Sequence, residues 1–252
     1  GMLQLISSLK NAWINRQDEI HDSINKVEKF LIDSNSFDPG KEWNETIFHR
    51  CVAHFHRKFD YENGGFGTAP KFPSPHNLIF LIRYSHIYKK SKVLNMVEKT
   101  LKKMRLGGIY DHIGFGFHRY STDKNWFLPH FEKMLYDQAM NALAYMEAYQ
   151  ITKNNEYAEI VSEIFSYVLR DMKDEKGGFY SAEDADSEGE EGTFYLWTEE
   201  EVLKTLGEKG QIFSKVYGFS KIGNYQDESS GMRNGGNIPF LKEPKSKIAK
   251  KL

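Results

Sequence analysis

A single cysteine, Cys51, in 252 residues leaves the chain without an internal disulfide, so its stability has to come from a packed core. The sequence also lacks an apolar run of about 18 residues and a charged-then-apolar leader, which argues against membrane spanning and secretion and makes the cytoplasm the expected location. An excess of charge is missing too. Thirty-four basic residues stand against 35 acidic ones without a basic stripe, which speaks against a nucleic-acid groove or an anionic membrane surface as partner. Gly1 ahead of Met2 reads as a remnant of an expression tag.

What is present is a hydrophobic content of 40%, enough for a sizeable core, and an unusual store of aromatics: 14 Tyr, 18 Phe and 4 Trp. Many of these lie between the helical stretches. Loops that carry aromatics commonly bind something.

Apolar residues at helical spacing mark residues 3 to 33 (Leu5, Leu9, Trp13, Ile20, Ile24, Val27, Leu31) and, after a linker at Asp38-Pro39-Gly40, Trp43 to Phe59. These two stretches are expected to form one antiparallel helix pair. A second pair covers 76 to 89 and 92 to 106, and a third covers 130 to 151 and 156 to 172 around the polar turn Lys153-Asn154-Asn155. Thr198 followed by Glu200 and Glu201 caps a further helix to Leu206, with another segment over 209 to 217.

The connections alternate in length. Long ones cover 60 to 75, 107 to 128, 174 to 197 and 219 to 237, and in an antiparallel array every second connection falls on the same end. Each carries a glycine pair with an apolar residue close behind: Gly64-Gly65-Phe66, Gly107-Gly108-Ile109, Gly177-Gly178-Phe179 and Gly235-Gly236-Asn237-Ile238. Paired glycines can simply stop helices. Four together read as a degenerate repeat of roughly 45 to 70 residues, the mark of a toroid or solenoid of helix pairs. Short β-hairpins on the rim are expected at 108 to 119 and 178 to 197.

Chemistry-bearing residues concentrate in the second long loop. A helix starting at Pro129 would present His130 in its first turn, where the positive end of the dipole favours the neutral imidazole base. His118 and His130 are the candidate acid and base, and each also has the plainer reading of a core histidine satisfied by one hydrogen bond. Glu132 is a third catalytic candidate or a carboxylate at a helix start. Asp137, two turns deeper than His130, would hold Arg119 or a histidine in place. Asp111, Arg119, Trp126 and Lys133 join the candidate binding residues. In the first long loop Pro70 and Pro73 stiffen the chain so that Lys71 and Phe72 are held toward the rim's centre, unless Lys71 is an ordinary surface lysine. In the third, Glu183, Asp184 and Asp186 could face a polar ligand, while Glu188, Glu190 and Glu191 read as a solvated acidic loop.

Two metal readings fail. Asp184, Asp186, Glu188 and Gly189 match the first half of a calcium loop, but Tyr195 stands where a bidentate glutamate is needed. His49, His54 and His56 lack a second ligand cluster, so no zinc site, and no metal or cofactor, is expected. Cys51, among apolar residues, reads as buried filler.

The strings Gly64-Gly65-Phe66-Gly67, Ala69-Pro70-Lys71-Phe72-Pro73, Gly107-Gly108-Ile109-Tyr110-Asp111, Gly116-Phe117-His118-Arg119-Tyr120, Pro129-His130-Phe131-Glu132-Lys133-Met134-Leu135-Tyr136-Asp137 and Ala182-Glu183-Asp184-Ala185-Asp186 carry a family likeness. The chain resembles the YyaL-type, spermatogenesis-associated family, which joins a thioredoxin-like domain to a helical toroid like that of N-acylglucosamine 2-epimerase. The resemblance implies an all-α, six-hairpin α/α toroid over residues 2 to 240, followed by a basic low-complexity tail at 241 to 252, with the site in the central cavity. It also implies a thioredoxin-like partner domain that would precede residue 3. About eight helices can be counted where about twelve close a ring, so a partial toroid with an open edge able to self-associate is expected.

By fold analogy, the expected activity is that of a sugar epimerase or isomerase, with His118 and His130 exchanging a proton beside a carbonyl while Arg119 and Lys133 steady the enolate. Two alternatives are a glycosidase pairing Glu132 with Asp184 or Asp186 at about 5 to 9 Å, and a non-catalytic scaffold that grips carbohydrate or peptide.

Overall fold

The computed structural model describes residues 1–36, 44–226 and 231–251. The expected linker at Asp38-Pro39-Gly40 and the helix start at Trp43 lie outside the described residues. The chain divides into two compact units, 1–46 and 47–252.

The first unit holds α1 (Met2–Asn15) and α2 (Gln17–Asn35). The single helix expected over 3 to 33 is therefore two helices, broken at Arg16, whose φ of −137° is not helical. Asp18 and Glu19 then sit in the first turn of α2, where carboxylates favour a helix start. Neither helix buries a residue, and Leu9, Trp13, Val27 and Leu31 are exposed.

The second unit is built from helix pairs. Its elements are α3 (Thr46–Lys58), α4 (Pro75–Ile87), α5 (Ser91–Leu106), α6 (Leu135–Thr152), α7 (Asn155–Tyr167), α8 (Glu199–Leu206), α9 (Glu208–Val216) and the short α10 (Lys245–Ile248). Helices α4 and α5, α6 and α7, and α8 and α9 pack as neighbours, and α4 also packs on α6. Pro75 opens α4 at a position that needs no N–H, Asn154 caps α7 by accepting from the Glu156 N–H, and Thr198 and Glu201 form the capping box of α8. The core between them contains Leu78, Leu81, Val97, Leu101, Met104, Ala144, Tyr145, Ala148 and Ile164. A π-helical turn, Val168–Met172, ends the stretch that starts as α7. Cys51 is exposed, not buried filler.

The long loops do share one end, and backbone pairing links them in series. Lys71 bridges to Ser121, joining the first loop to the second, and Trp197 bridges to Asn237, joining the third to the fourth. Between these lie three two-stranded ladders: β1 (Tyr120–Ser121) with β2 (Pro129–His130), β3 (Lys133–Met134) with β4 (Ala182–Glu183), and β5 (Asp186–Ser187) with β6 (Glu190–Glu191). The β3–β4 ladder ties the second loop to the third. In the turn of the last, Glu188 and Gly189 both have positive φ, as a tight two-residue hairpin requires.

These ladders correct three expectations. The helix placed at Pro129 begins only at Leu135, because backbone groups of 129 to 134 are engaged by β1, β4 and the Arg119 N–H. His130 therefore lies on a strand and feels no helix start. The hairpin expected at 108 to 119 reduces to one Tyr110–Phe117 bridge, and that at 178 to 197 to the β5–β6 turn, with Phe194 and Tyr195 in a 3-10 turn. The glycine pairs have packing reasons as well. A Cβ on Gly65, already at φ +76°, would come within 2.5 Å of the Trp126 ring, and one on Gly108 within 2.2 Å of the Phe127 carbonyl oxygen.

Candidate active site

Strand β2 and the residues after it gather an exposed polar cluster. The Arg119 N–H donates to the Glu132 carbonyl, which places the two side chains together, and Arg119 Nη1 donates to Glu132 Oε2 at 2.8 Å. His130 Nε2 lies 3.6 Å from the same oxygen. On its other side His130 Nδ1 is 2.6 Å from Glu191 Oε1, delivered by β6. The imidazole thus stands between two carboxylates, and all four side chains are partly open to solvent. Its ring stacks on Tyr120 at 4.9 Å, and Tyr120 meets the exposed ring of Phe72 at 4.8 Å.

Asp137 completes this cluster from the first turn of α6. Burial pushes its carboxyl up to about 6, with Glu132 adding to the rise and Arg119 opposing it. An acid that titrates there can both give and take a proton near neutrality. Its Oδ2 is buried without a hydrogen-bond partner among the described residues.

Behind the rim lies a cavity of about 280 Å³ whose lining includes Asp111, His118, Lys133, Tyr167, Glu183 and Tyr195. Lys133 Nζ is buried and donates to Asp111 Oδ2 at 2.8 Å and the Phe115 carbonyl at 2.9 Å, between the rings of Tyr167 (4.3 Å) and Tyr195 (4.8 Å). Burial would raise the Asp111 carboxyl, but Lys133, His118 and the Gly114 N–H together hold it below the ordinary range. His118 pairs through Nδ1 with the Phe131 carbonyl at 2.9 Å, and burial, then the charge of Lys133, pushes it down to about 3. It is neutral at physiological pH, and with Nδ1 donating, Nε2 is an acceptor. Glu183 accepts from Tyr167 at 2.5 Å and from Tyr195 at 3.4 Å.

The expected site residues thus fall into separate places. Arg119, His130, Glu132, Asp137 and Phe72 meet at the rim, whereas Asp111, His118, Lys133 and Glu183 line the cavity. His118 and His130 do not share that cavity, so the pair expected to flank one substrate carbon is not formed there. Lys71 is no ligand-facing cation. It is fully buried and donates to Asp60 at 2.7 Å and to the carbonyls of Gly64 and Lys124, because the bridge to Ser121 turns its side chain under the loop. Trp126 is likewise buried, its Nε1 donating to the Asn63 carbonyl. Asp184 and Asp186 are exposed, and Asp184 accepts from the Asp186 N–H, shaping its own turn. Glu191, read from the sequence as solvated, is exposed and is also the partner of His130. Tyr167 and Tyr195 carried no signal beyond being aromatic near a loop. Among the described residues no group of three or more His, Cys, Asp or Glu is placed to hold a metal ion, and no helix is long and apolar enough to cross a membrane.

No family model matches the chain. Spermatogenesis-associated protein 20 from Homo sapiens is 37% identical over 94% of this chain and 34% of its own length. The Mus musculus protein of that name is 44% identical over 78% of this chain and 28% of its own. The chain therefore spans about a third of the length of the curated relatives it matches. Among solved structures, cellobiose 2-epimerase from Bacillus thermoamylovorans superposes with a TM-score of 0.50 at 16% identity, covering 73% of this chain and 57% of that one. The shared architecture is the α/α toroid.

Proposed function

The chain belongs to the family of spermatogenesis-associated protein 20, and within that family we propose that its rim cluster binds a sugar and moves a proton on it, as a sugar epimerase or isomerase does. One observation supports this reading above the others: His130 sits between Glu191 and Glu132, Glu132 is tied to Arg119, and Asp137, titrating at about 6, acts on the same charges. The exposed face of Phe72 beside Tyr120 offers a surface for the C–H face of a sugar ring.

In this reading His130, oriented by Glu191, takes the proton from the carbon beside the carbonyl. The C–H electron pair shifts to form the enolate C=C bond, and the carbonyl π pair moves onto oxygen, which Arg119 stabilises. For the epimer, the oxyanion pair re-forms the C=O and the C=C pair takes a proton from Asp137 on the opposite face of the same carbon. Asp137 is left ionised and His130 protonated until both exchange with solvent. For the isomer, the C=C pair takes the His130 proton at the former carbonyl carbon, while the neighbouring hydroxyl passes its proton to the enolate oxygen and its O–H pair forms the new C=O. His118 is not the second acid, because it is neutral, enclosed and bound to the Phe131 carbonyl.

The test is deuterium uptake from heavy water at that carbon over a panel of reducing sugars and N-acetyl sugars. Wild-type uptake that falls at least about 100-fold in His130→Asn and in Arg119→Gln supports the reading. Sugars that bind with no uptake would remove it. A second reading, a module that grips carbohydrate without turnover, is favoured by the inner cavity, where Lys133, Asp111 and Glu183 already have protein partners.

A further inference from the structure

Asn141 lies on α6 one turn after Asp137, so the two side chains share a face of the helix. It is fully buried, yet neither its Oδ1 nor its Nδ2 meets a hydrogen-bond partner among the described residues, and Asp137 Oδ2 is in the same position. The other buried amide nearby is satisfied: Gln138 accepts from the Phe117 N–H at 2.8 Å and donates to the Phe117 carbonyl at 2.6 Å. Around them α6 buries Ala142, Ala144, Tyr145 and Ala148. A primary amide brings two donors and an acceptor oxygen, and sealing all of it among apolar side chains is costly unless something polar meets it. A site that needed only volume would take a leucine.

We propose that Asp137 and Asn141 hold between them a buried water molecule, and that Asn141 is thereby a positioning residue for the Asp137 carboxyl. The water accepts from Asn141 Nδ2 and donates to Asp137 Oδ2, so the orphaned donor and the orphaned carboxylate oxygen are satisfied by one small ligand. Buried waters typically make about three hydrogen bonds of this kind to otherwise unpaired polar groups, and Asn141 Oδ1 supplies the third partner. Arg119 and Glu132 are the charged groups that act on Asp137 from outside the helix. With a water at its buried oxygen, Asp137 keeps a hydrogen-bond donor that stabilises its ionised form.

The consequence for catalysis rests on the proton-transfer reading of the rim; the site itself does not. Two measurements test it without any sugar. High-resolution crystallography is expected to show density for a water within about 3.2 Å of both Asp137 Oδ2 and the Asn141 amide. Carbon-13 NMR titration of the Asp137 carboxyl is expected to move up by about one unit or more in Asn141→Leu, which expels the water, and to return most of the way in Asn141→Ser, which leaves a hydroxyl and room. A direct Asp137–Asn141 hydrogen bond with no water between, or an Asp137 titration unmoved by Asn141→Leu, would overturn the proposal. If the leucine variant fails to fold, the wild-type density decides. Absence of deuterium uptake into any sugar would sink the rim reading and leave the water site standing.

Discussion

His130 Nδ1 stands 2.6 Å from Glu191 Oε1, a contact that joins residues 61 positions apart by way of the β5–β6 hairpin. The pair makes Glu191 the group that orients the imidazole. Glu191→Gln is expected to lower deuterium uptake roughly tenfold, since the amide still accepts or donates a hydrogen bond but carries no charge. Because the carboxylate is half exposed, stability should change by no more than about 1 kcal/mol, read by urea denaturation. A large loss of stability with unchanged uptake would make the contact purely structural.

Three groups give stability pH dependences of opposite sign, His118 and His112 in one sense and Asp137 in the other. His118, lowered to about 3, binds fewer protons folded than unfolded between its folded value and the ordinary histidine range near 6.5. Its contribution is therefore complete above about 6.5 and is lost as pH falls toward 3. His112, also lowered to about 3 by burial and then Arg105, acts in the same sense. His118→Gln should flatten the fall in denaturant midpoint between pH 6.5 and 4, and an unchanged slope would refute this.

Asp137 works the other way. Raised to about 6, it binds more protons folded than unfolded, so stability falls as pH rises from about 4 to about 6. Asp137→Asn should gain on the order of 1 kcal/mol at pH 7.5 and nothing at pH 3.5, measured as the difference in unfolding free energy. Equal effects at both pH values would contradict the raised carboxyl.

Lys71→Met is expected to destabilise by about 3 kcal/mol, because it strands the Asp60 carboxylate that the lysine neutralises inside the loop. Burial acts to raise Asp60, and Lys71 with the Asn63 and Glu62 N–H groups overturns that and holds it low. Sugar affinity per folded molecule should not change. A loss of affinity without loss of stability would return Lys71 to the binding surface.

Gly65→Ala and Gly177→Ala both replace a glycine at positive φ, at +76° and +91°, but only the first meets a neighbour, the Trp126 ring. The former should cost about 3 kcal/mol or more and the latter about 1 kcal/mol, compared by thermal unfolding. Equal losses would mean that backbone strain, not the close approach of two loops, accounts for the first glycine pair.

Much of the helical framework is written in local pattern. The spacing of Leu78 with Leu81 and Ile82, and of Val97 with Leu101 and Met104, marks α4 and α5, and the Thr198–Glu201 box marks the start of α8. These are decided within a few residues, by which face is apolar and which side chain can cap an end. Alternating loop lengths then put the loops on one rim, and the structure joins them there.

The site was legible as a list of residues but not as an arrangement. Pro129 to Met134 looks like a helix start because proline and an acidic residue suit one. It is extended because Tyr120, Ser121, Ala182 and Glu183, from before and after it in the chain, take up backbone groups that a helix would need. That competition separates His130 from the cavity of His118 and brings it to Glu191. Sequence alone determined most of the helix pairs, the rim and the residue types available for chemistry, but not the break at Arg16 or the start of α6 at Leu135. Which of those side chains meet was decided by hydrogen bonds between loops tens of residues apart, and no local pattern encodes them.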